Sequence, residues 1–137
     1  MRRFFDLSLD LLALLDLGTT ILAASASFES TLGWRPSEIV GRPLLEFFHP
    51  DDMPRINEEL AGLLQGEDAS VVVVRVLCGN GAYRWVQGNA RSDLTSGRIY
   101  VTAAEITERM RLEESLRHHL ALEELVASIA SRLIGAD

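Results

Sequence analysis

The sequence contains no lysine, a single cysteine and few aromatic residues, and each shortage excludes a class of protein. Its 137 residues carry 13 positive charges, all of them arginine, against 20 acidic residues, for a formal net charge of -7. An acidic chain without a clustered basic segment argues against nucleic-acid binding, which needs a concentrated positive surface. The single Cys78 excludes an internal disulfide and a CxxC metal site, and it fits a reduced, cytoplasmic setting.

Long apolar runs are also missing, so the sequence predicts no direct insertion into a membrane. The basic start and apolar middle of the first segment resemble a secretory signal. Asp6, Asp10 and Asp16 interrupt that pattern, and no small-residue cleavage site follows. At 47% hydrophobic and 24% charged residues, the composition is typical of a globular chain, and the length suits one domain with an extension.

Hydrophobic periodicity predicts an α+β domain. The predicted elements are a helical lead-in over 3–10, strands over 11–16 and 20–24, short helices over 25–32 and 36–41, a helix over 53–65, strands over 70–78, 83–94 and 99–105, and a nearly continuous helix over 107–133. Gly18 is expected to take the unusual backbone angle in the first hairpin, and Asn80-Gly81 is a strong signal for a later one. The carboxylates of Asp51 and Asp52 are expected to cap the middle helix.

A strand passes directly into a helix over 98–116, with no glycine or proline between Tyr100 and Ile134 to absorb a change of direction. Displacement of the strand should therefore be felt by the helix. The residues predicted to transfer a signal are Glu105, Ile106 and Thr107. We divide the chain into a lead-in over 1–10, a domain over 11–106 and a signalling helix over 107–137.

The long helix carries two apolar stripes that change register near His118-His119. The predicted dimer residues are Leu112, Leu116, Leu120, Leu125, Ile129 and Leu133, and Leu122 belongs to the second stripe. An exposed apolar stripe is most simply covered by a second copy of the chain, so we expect a homodimer through this helix, the sheet or both.

Four motifs in the same order resemble the PAS family. FESTLGW with PSEIVGR resembles "F..LLGY..EELIGR", HPDD is identical to the family's turn, GNGAYRWV resembles "KDG..RWV", and EITER resembles "DITERK". The resemblance covers about residues 5–116. Ser25 stands where the family usually has Asn, and Glu105 replaces the Asp of the terminal motif, which puts the usual contacts of both positions in question.

The resemblance implies a five-stranded antiparallel sheet of order 2-1-5-4-3, with helices over one face enclosing a pocket. It implies a sensory and dimerisation module of a bacterial signalling protein, commonly a histidine kinase or a cyclic-dinucleotide enzyme, with a downstream effector domain. The tail over 120–134 is similar to the first helix of a GAF domain, which would make the chain a piece cut before its next domain.

The pocket candidates are Phe28, Leu32, Leu44, Phe47, Ile56, Asn57, Leu60, Arg75 and Trp85. An inward-facing Asn57, Arg75 or Arg91 would orient a carboxylate or carbonyl ligand. Trp34 and Trp85 would either stack on a planar ligand or serve packing alone.

No cofactor is predicted, and an unknown small-molecule ligand is left open. Members that form a flavin adduct carry cysteine where this chain has Leu44, and haem-binding members carry histidine in a helix that here has none, because His49 precedes it. Cys78 is interpreted as a small buried hydrophobe. His118 and His119 point about 100° apart on a helix, which is poor geometry for a metal.

No nucleophile elbow, phosphate loop or HExxH pair is present, so the sequence predicts no enzyme. The first hypothesis is a sensory module that acts through its helix. The alternatives are a ligand-free association module and a flavin- or haem-bearing light or redox sensor. An open cavity would favour sensing, and a cavity filled by side chains would favour association.

Overall fold

The computed structural model describes residues 10–134. The elements are β1 (Leu11–Asp16), β2 (Ile21–Ala24), α1 (Ser27–Leu32), α2 (Pro36–Ile39), two 3₁₀ turns (Leu44–Phe47 and Pro50–Asp52), α3 (Met53–Leu64), β3 (Ala69–Leu77), β4 (Tyr83–Asp93), β5 (Arg98–Glu105) and α4 (Thr107–Ile134). Apart from Asp10, the predicted lead-in lies outside the described residues. The chain divides into two compact units, Met1–Ile106 and Thr107–Asp137.

The five strands form one antiparallel sheet in the order β2-β1-β5-β4-β3, which confirms the expected topology. β3, β4 and β5 carry β-branched or aromatic residues that favour strands, whereas β1 and β2 are short and consist mainly of leucine, isoleucine and alanine. β5 lies at the centre and pairs with β1 on one side and β4 on the other. A shift of β5 would therefore disturb most of the sheet.

The hydrophobic core lies between one face of the sheet and the helical segment that joins β2 to β3. Ile21, Ile39 and Ile99 are each 1% exposed at its centre. Successive residues of a strand point to opposite faces. Tyr100, the neighbour of Ile99, is accordingly 49% exposed on the outer face.

The end of α1 is fastened to the turn between β3 and β4. Gly33 ends the helix with a φ of 80°, as glycine at this position commonly does. The N–H of Gly79 donates to the carbonyl of Leu32 at 2.8 Å. A Cβ at Gly79 would lie 2.5 Å from the Gly33 oxygen, so only glycine permits this approach.

Two serines hold the start of the helical segment against β1. Ser25 is fully buried, and its Oγ accepts from the N–H of Leu12 at 3.0 Å and lies 2.6 Å from Oγ of Ser27. The hydroxyl of Ser27 donates to the carbonyl of Asp10 at 2.7 Å. The unusual Ser25 is therefore accommodated by a second hydroxyl two residues later.

The first hairpin differs from expectation in the residue that takes the left-handed conformation. Thr19, rather than Gly18, has a positive φ, of 69°. Its N–H donates to the carbonyl of Asp16 at 3.0 Å, and its hydroxyl donates to the carbonyl of Gly18 at 2.6 Å. These bonds, together with burial of Thr19 to 5% exposure, offset a backbone conformation that threonine disfavours.

The 28 residues of α4 form one uninterrupted helix of about 42 Å. Seven of its large apolar side chains are exposed, from 47% for Leu122 to 64% for Val126. Arg109 pairs with Glu113 at 3.6 Å and His119 with Glu123 at 3.0 Å, both one turn apart. Within residues 10–134, no helix combines the length and apolar character needed to cross a membrane.

Candidate ligand cavity

An apolar cavity of about 120 Å³ lies between the inner face of the sheet and the helical segment. α3 contributes Ile56, Leu60 and Leu63 at helical spacing, so one face of that helix covers the cavity. β5 contributes Ile99, Val101 and Ala103 at strand spacing from the opposite side. The surface facing the cavity is almost wholly carbon.

Small residues on the sheet leave this space open. Gly88 of β4 pairs with Ala103 of β5, and both line the cavity together with Ala90 and Ala69. A Cβ at Gly88 would lie 3.3 Å from that of Ala103. The cavity exists because these sheet positions carry little or no side chain opposite the leucines of α3.

The polar residues of the lining have partners elsewhere or lie at the surface. The Thr19 hydroxyl donates to the carbonyl of Gly18, and Oδ1 of Asn89 accepts from the N–H of Val71 at 2.9 Å. Asn89 is exposed and Glu59 is half-buried, so the cavity reaches the surface near these two residues. Its interior offers a ligand dispersion contacts rather than hydrogen bonds.

The predicted pocket residues fall into two groups. Leu44, Ile56 and Leu60 line the cavity. The other six do not: Phe28, Leu32 and Phe47 are buried in the core, Asn57 is exposed, and Arg75 on the edge strand β3 and Trp85 opposite it on β4 are half-buried.

Arg75 forms a two-pronged ion pair with Asp52. Nη2 lies 2.9 Å from Oδ1 and Nε lies 3.2 Å from Oδ2, which also accepts the backbone N–H of Arg75 at 2.8 Å. The guanidinium carbon lies 5.0 Å from the ring centre of Trp85. The hydrogen bonds from Arg75 hold the pKa of the Asp52 carboxyl below its usual range.

This pair corrects the expectation that Asp52 caps the middle helix. The Asp52 side chain makes no capping bond to α3. At the preceding 3₁₀ turn, Nδ1 of His49 accepts from the N–H of Asp51 at 3.1 Å. Asp52 instead satisfies an unpaired N–H of the edge strand β3, which joins the start of α3 to the sheet.

The residues just before the second 3₁₀ turn also cover the edge strand β3. The N–H of His49 donates to the carbonyl of Arg75 at 3.1 Å, and Phe48 forms an isolated bridge with Val76. Covering an edge strand in this way protects it from pairing with other chains.

A family model described as PAS fold matches residues 21–104. The chain belongs to the PAS family. Protein y4lL of Sinorhizobium fredii is 27% identical over 118 residues, which make up 83% of this chain and 14% of that protein. The chain thus spans about a seventh of the length of this relative.

Solved PAS domains share the fold. The PAS domain of a protein from Colwellia psychrerythraea superposes with a TM-score of 0.67 at 19% identity, covering 77% of this chain and 93% of that one. A domain of a sensory box sensor histidine kinase/response regulator from Geobacter sulfurreducens gives 0.64 at 22% identity, covering 74% and 88%. The similarity of the tail to a GAF helix stays a prediction.

The PAS domain ends at a short junction between β5 and α4. Ile106, the single residue between these elements, is 9% exposed, and its N–H donates to the carbonyl of Trp85 at 2.8 Å. Glu105 is the last residue of β5 and Thr107 the first of α4. The three predicted signal-transfer residues therefore lie at the change from strand to helix.

Other residues singled out in the sequence serve packing in this PAS domain. Nε1 of Trp34 donates to the carbonyl of Leu77 at 2.8 Å, and its ring meets Phe47 edge-on at 5.3 Å. Cys78 is 4% exposed, and burial raises the pKa of its thiol.

Arg91 pairs with Asp68 at the surface at 3.5 Å. Over the described part of the chain, no group of His, Cys, Asp or Glu is arranged to hold a metal ion.

The sheet side of the cavity is what sequence reasoning missed. Val86, Gly88 and Ala90 on β4 line the cavity, as do Val101 and Ala103 on β5. The signal was present as two alternating sets of small and β-branched residues on neighbouring strands. Once Ile99 is placed inward, the strand period puts the other residues of its set on the same face.

Proposed function

We propose that this PAS chain is a non-enzymatic sensory and dimerisation module of a bacterial signalling protein in the cytoplasm. One observation carries the proposal: β5 lines the cavity with three side chains and continues into α4 after a single residue. A molecule in the cavity contacts the strand that leads into the helix. The geometry thus favours sensing in the cavity over a PAS domain whose interior is filled.

The mechanism is a change in the balance between two packings of the sheet. A ligand shifts that balance only by the difference in its affinity for the two states. Displacement of β5 would act on Ile106, whose N–H is bonded to β4. With no glycine in the connection, the change would reach the first turn of α4 and then an effector domain.

Dimerisation is proposed through the apolar stripes of α4. Leu112 and Leu116 are 63% and 59% exposed, and Leu125 and Ile129 are 56% and 49% exposed. A second copy would present the same stripes, so a symmetric pair of helices would bring a stripe against its own counterpart. Such a pair would turn a change at the root of each helix into a change between two effectors.

Native mass spectrometry of the freshly purified full chain tests sensing and dimerisation together. A dimer carrying extra mass is the expected result. A dimer of bare chains whose mass stays the same when candidate compounds are added would favour the ligand-free association module, which the exposed stripes also fit. A monomer at micromolar concentration would contradict the dimer.

The interface is tested with matched double variants of α4. Leu125→Glu with Ile129→Glu places two charges on the second stripe, and Ala127→Glu with Ser131→Glu places two on the opposite face at the same spacing. We expect the first pair to raise the dimer dissociation constant at least about a hundredfold and the second to change it little. Equal effects would place the interface elsewhere, on the sheet.

A further inference from the structure

We propose that the cavity takes a small, uncharged, apolar molecule of about the size of benzene, and that it does not hold a flavin, a haem or a carboxylate ligand. This inference rests on the proposed function, because the same cavity is taken as the sensing site. It adds the chemical class of the ligand, which three properties of the lining decide.

The first property is the lack of hydrogen-bonding partners. The inner surface consists mainly of aliphatic side chains, with Phe48 and glycine; the Thr19 hydroxyl donates to the carbonyl of Gly18, and Oδ1 of Asn89 accepts from the N–H of Val71. A ligand hydroxyl or carbonyl entering this space would give up its bonds to water without replacement. A molecule without polar groups gives up no hydrogen bonds on entry.

The second property is charge. Arg75, the cation that would orient a carboxylate, lies outside the lining and is held by Asp52. The ionisable side chain that does contribute to the lining is Glu59, near the surface. An anionic ligand would meet a like charge at the entrance and no cation within.

The third property is size. The cavity of about 120 Å³ is close in volume to an engineered apolar cavity in another protein, which measures about 150 Å³, stays dry and binds benzene. Sites for drug-sized ligands and cofactors start at about 300 Å³. A flavin or a tetrapyrrole would require α3 to move away from the sheet.

The test is binding of three probes of similar shape to the full chain: benzene, phenol and benzoate. Methyl NMR of Leu60, Val86 and Val101 reports binding inside the cavity. We expect benzene to shift these signals, phenol to bind at least about fivefold more weakly, and benzoate to leave them unchanged. This comparison needs no variant and so does not depend on a substitution being tolerated.

Matched variants then locate the site. Ala103→Leu adds three carbons on the cavity side of β5, and Ala104→Leu adds the same group on its exposed face. We expect Ala103→Leu to weaken benzene binding at least tenfold and Ala104→Leu to leave it unchanged. Equal binding by both variants would overturn the assignment to this cavity.

The outcomes separate this inference from the proposed function. Phenol or benzoate binding as tightly as benzene would overturn the apolar ligand class and leave sensing in place. The absence of any benzene shift at the lining methyls would also overturn it, whatever mass the purified chain retains. Benzene binding that fails to change hydrogen exchange over 105–116 would support the ligand class and contradict the signalling role of α4.

Discussion

Ile99 and Leu116 are both large aliphatic residues in regular structure, yet one is 1% exposed and the other 59%. Ile99 lies on β5, which is paired on both sides and covered by the helical segment. Leu116 lies on α4, whose own hydrogen bonds satisfy its backbone but leave its apolar side chains in water. The PAS domain therefore completes its core within one chain, whereas α4 presents a surface suited to a partner.

The largest expected effect is the difference between truncating these two residues. Ile99→Ala should lower the free energy of unfolding by roughly 2–5 kcal/mol, because it removes buried methyl groups from a packed core. Leu116→Ala should change it by less than about 0.5 kcal/mol. Urea unfolding followed by tryptophan fluorescence at low protein concentration measures this, since Trp34 and Trp85 both lie in the domain.

A large loss of stability for Leu116→Ala under those conditions would contradict the contrast between a buried Ile99 and an exposed Leu116. It would mean that α4 is buried against the domain within a single chain. In that case the stripe would not be available to a second copy.

The Asp52–Arg75 ion pair gives a second test of what stabilises the domain, because it joins the start of α3 to β3. The pKa of Asp52 is lowered in the folded chain, so its contribution is present above its unfolded pKa of about 4 and is lost as the pH falls through the lower folded value. Asp52→Asn should lower the urea midpoint at pH 7, by less than Ile99→Ala does. The difference from wild type should shrink below about pH 4.

Asp51→Asn is the matched control, since the Asp51 side chain is 76% exposed and lies 4.0 Å from Nη2 of Arg75. It should leave the midpoint nearly unchanged at both pH values. An equal loss for both variants at pH 7 would assign the effect to net charge rather than to the pair.

The smallest expected effect concerns a reaction rate. Cys78 is buried, and burial raises the pKa of its thiol, so little reactive thiolate is present in the folded chain at neutral pH. Alkylation by iodoacetamide should be slow in buffer and should speed up through the same urea range in which tryptophan fluorescence changes. Fast alkylation in buffer would show that the β3–β4 end of the domain opens on its own.

Local signals predicted the turns and the order of the elements well. Asn80-Gly81 marked the β3–β4 turn, and Gly33 and Gly66 marked helix ends, since glycine readily adopts the positive φ found at each. Four motifs in order gave the PAS topology. In each case the information lies within a few neighbouring residues.

Contacts between distant residues were beyond the sequence. Asp52 looked like a cap, but its partner Arg75 lies 23 residues away on a strand whose facing was unknown. Trp85 was placed in the pocket because it matches a family position, and strand alternation does not say which of the two faces points inward. The left-handed Thr19 escaped prediction because the glycine before it adopts a positive φ more readily than threonine does.

One residue, Ile106, separates β5 from α4, and α4 then continues without a break to Ile134. Successive residues of an α-helix are related by a rotation of about 100°. One residue inserted within α4 would therefore rotate every later residue by about 100° about the helix axis. Seven inserted residues would return them to within about 20°. The direction that a fused domain faces would therefore depend on the number of residues that precede it in the helix. A library of insertions would rotate that domain about the helix axis in steps of about 100° per residue.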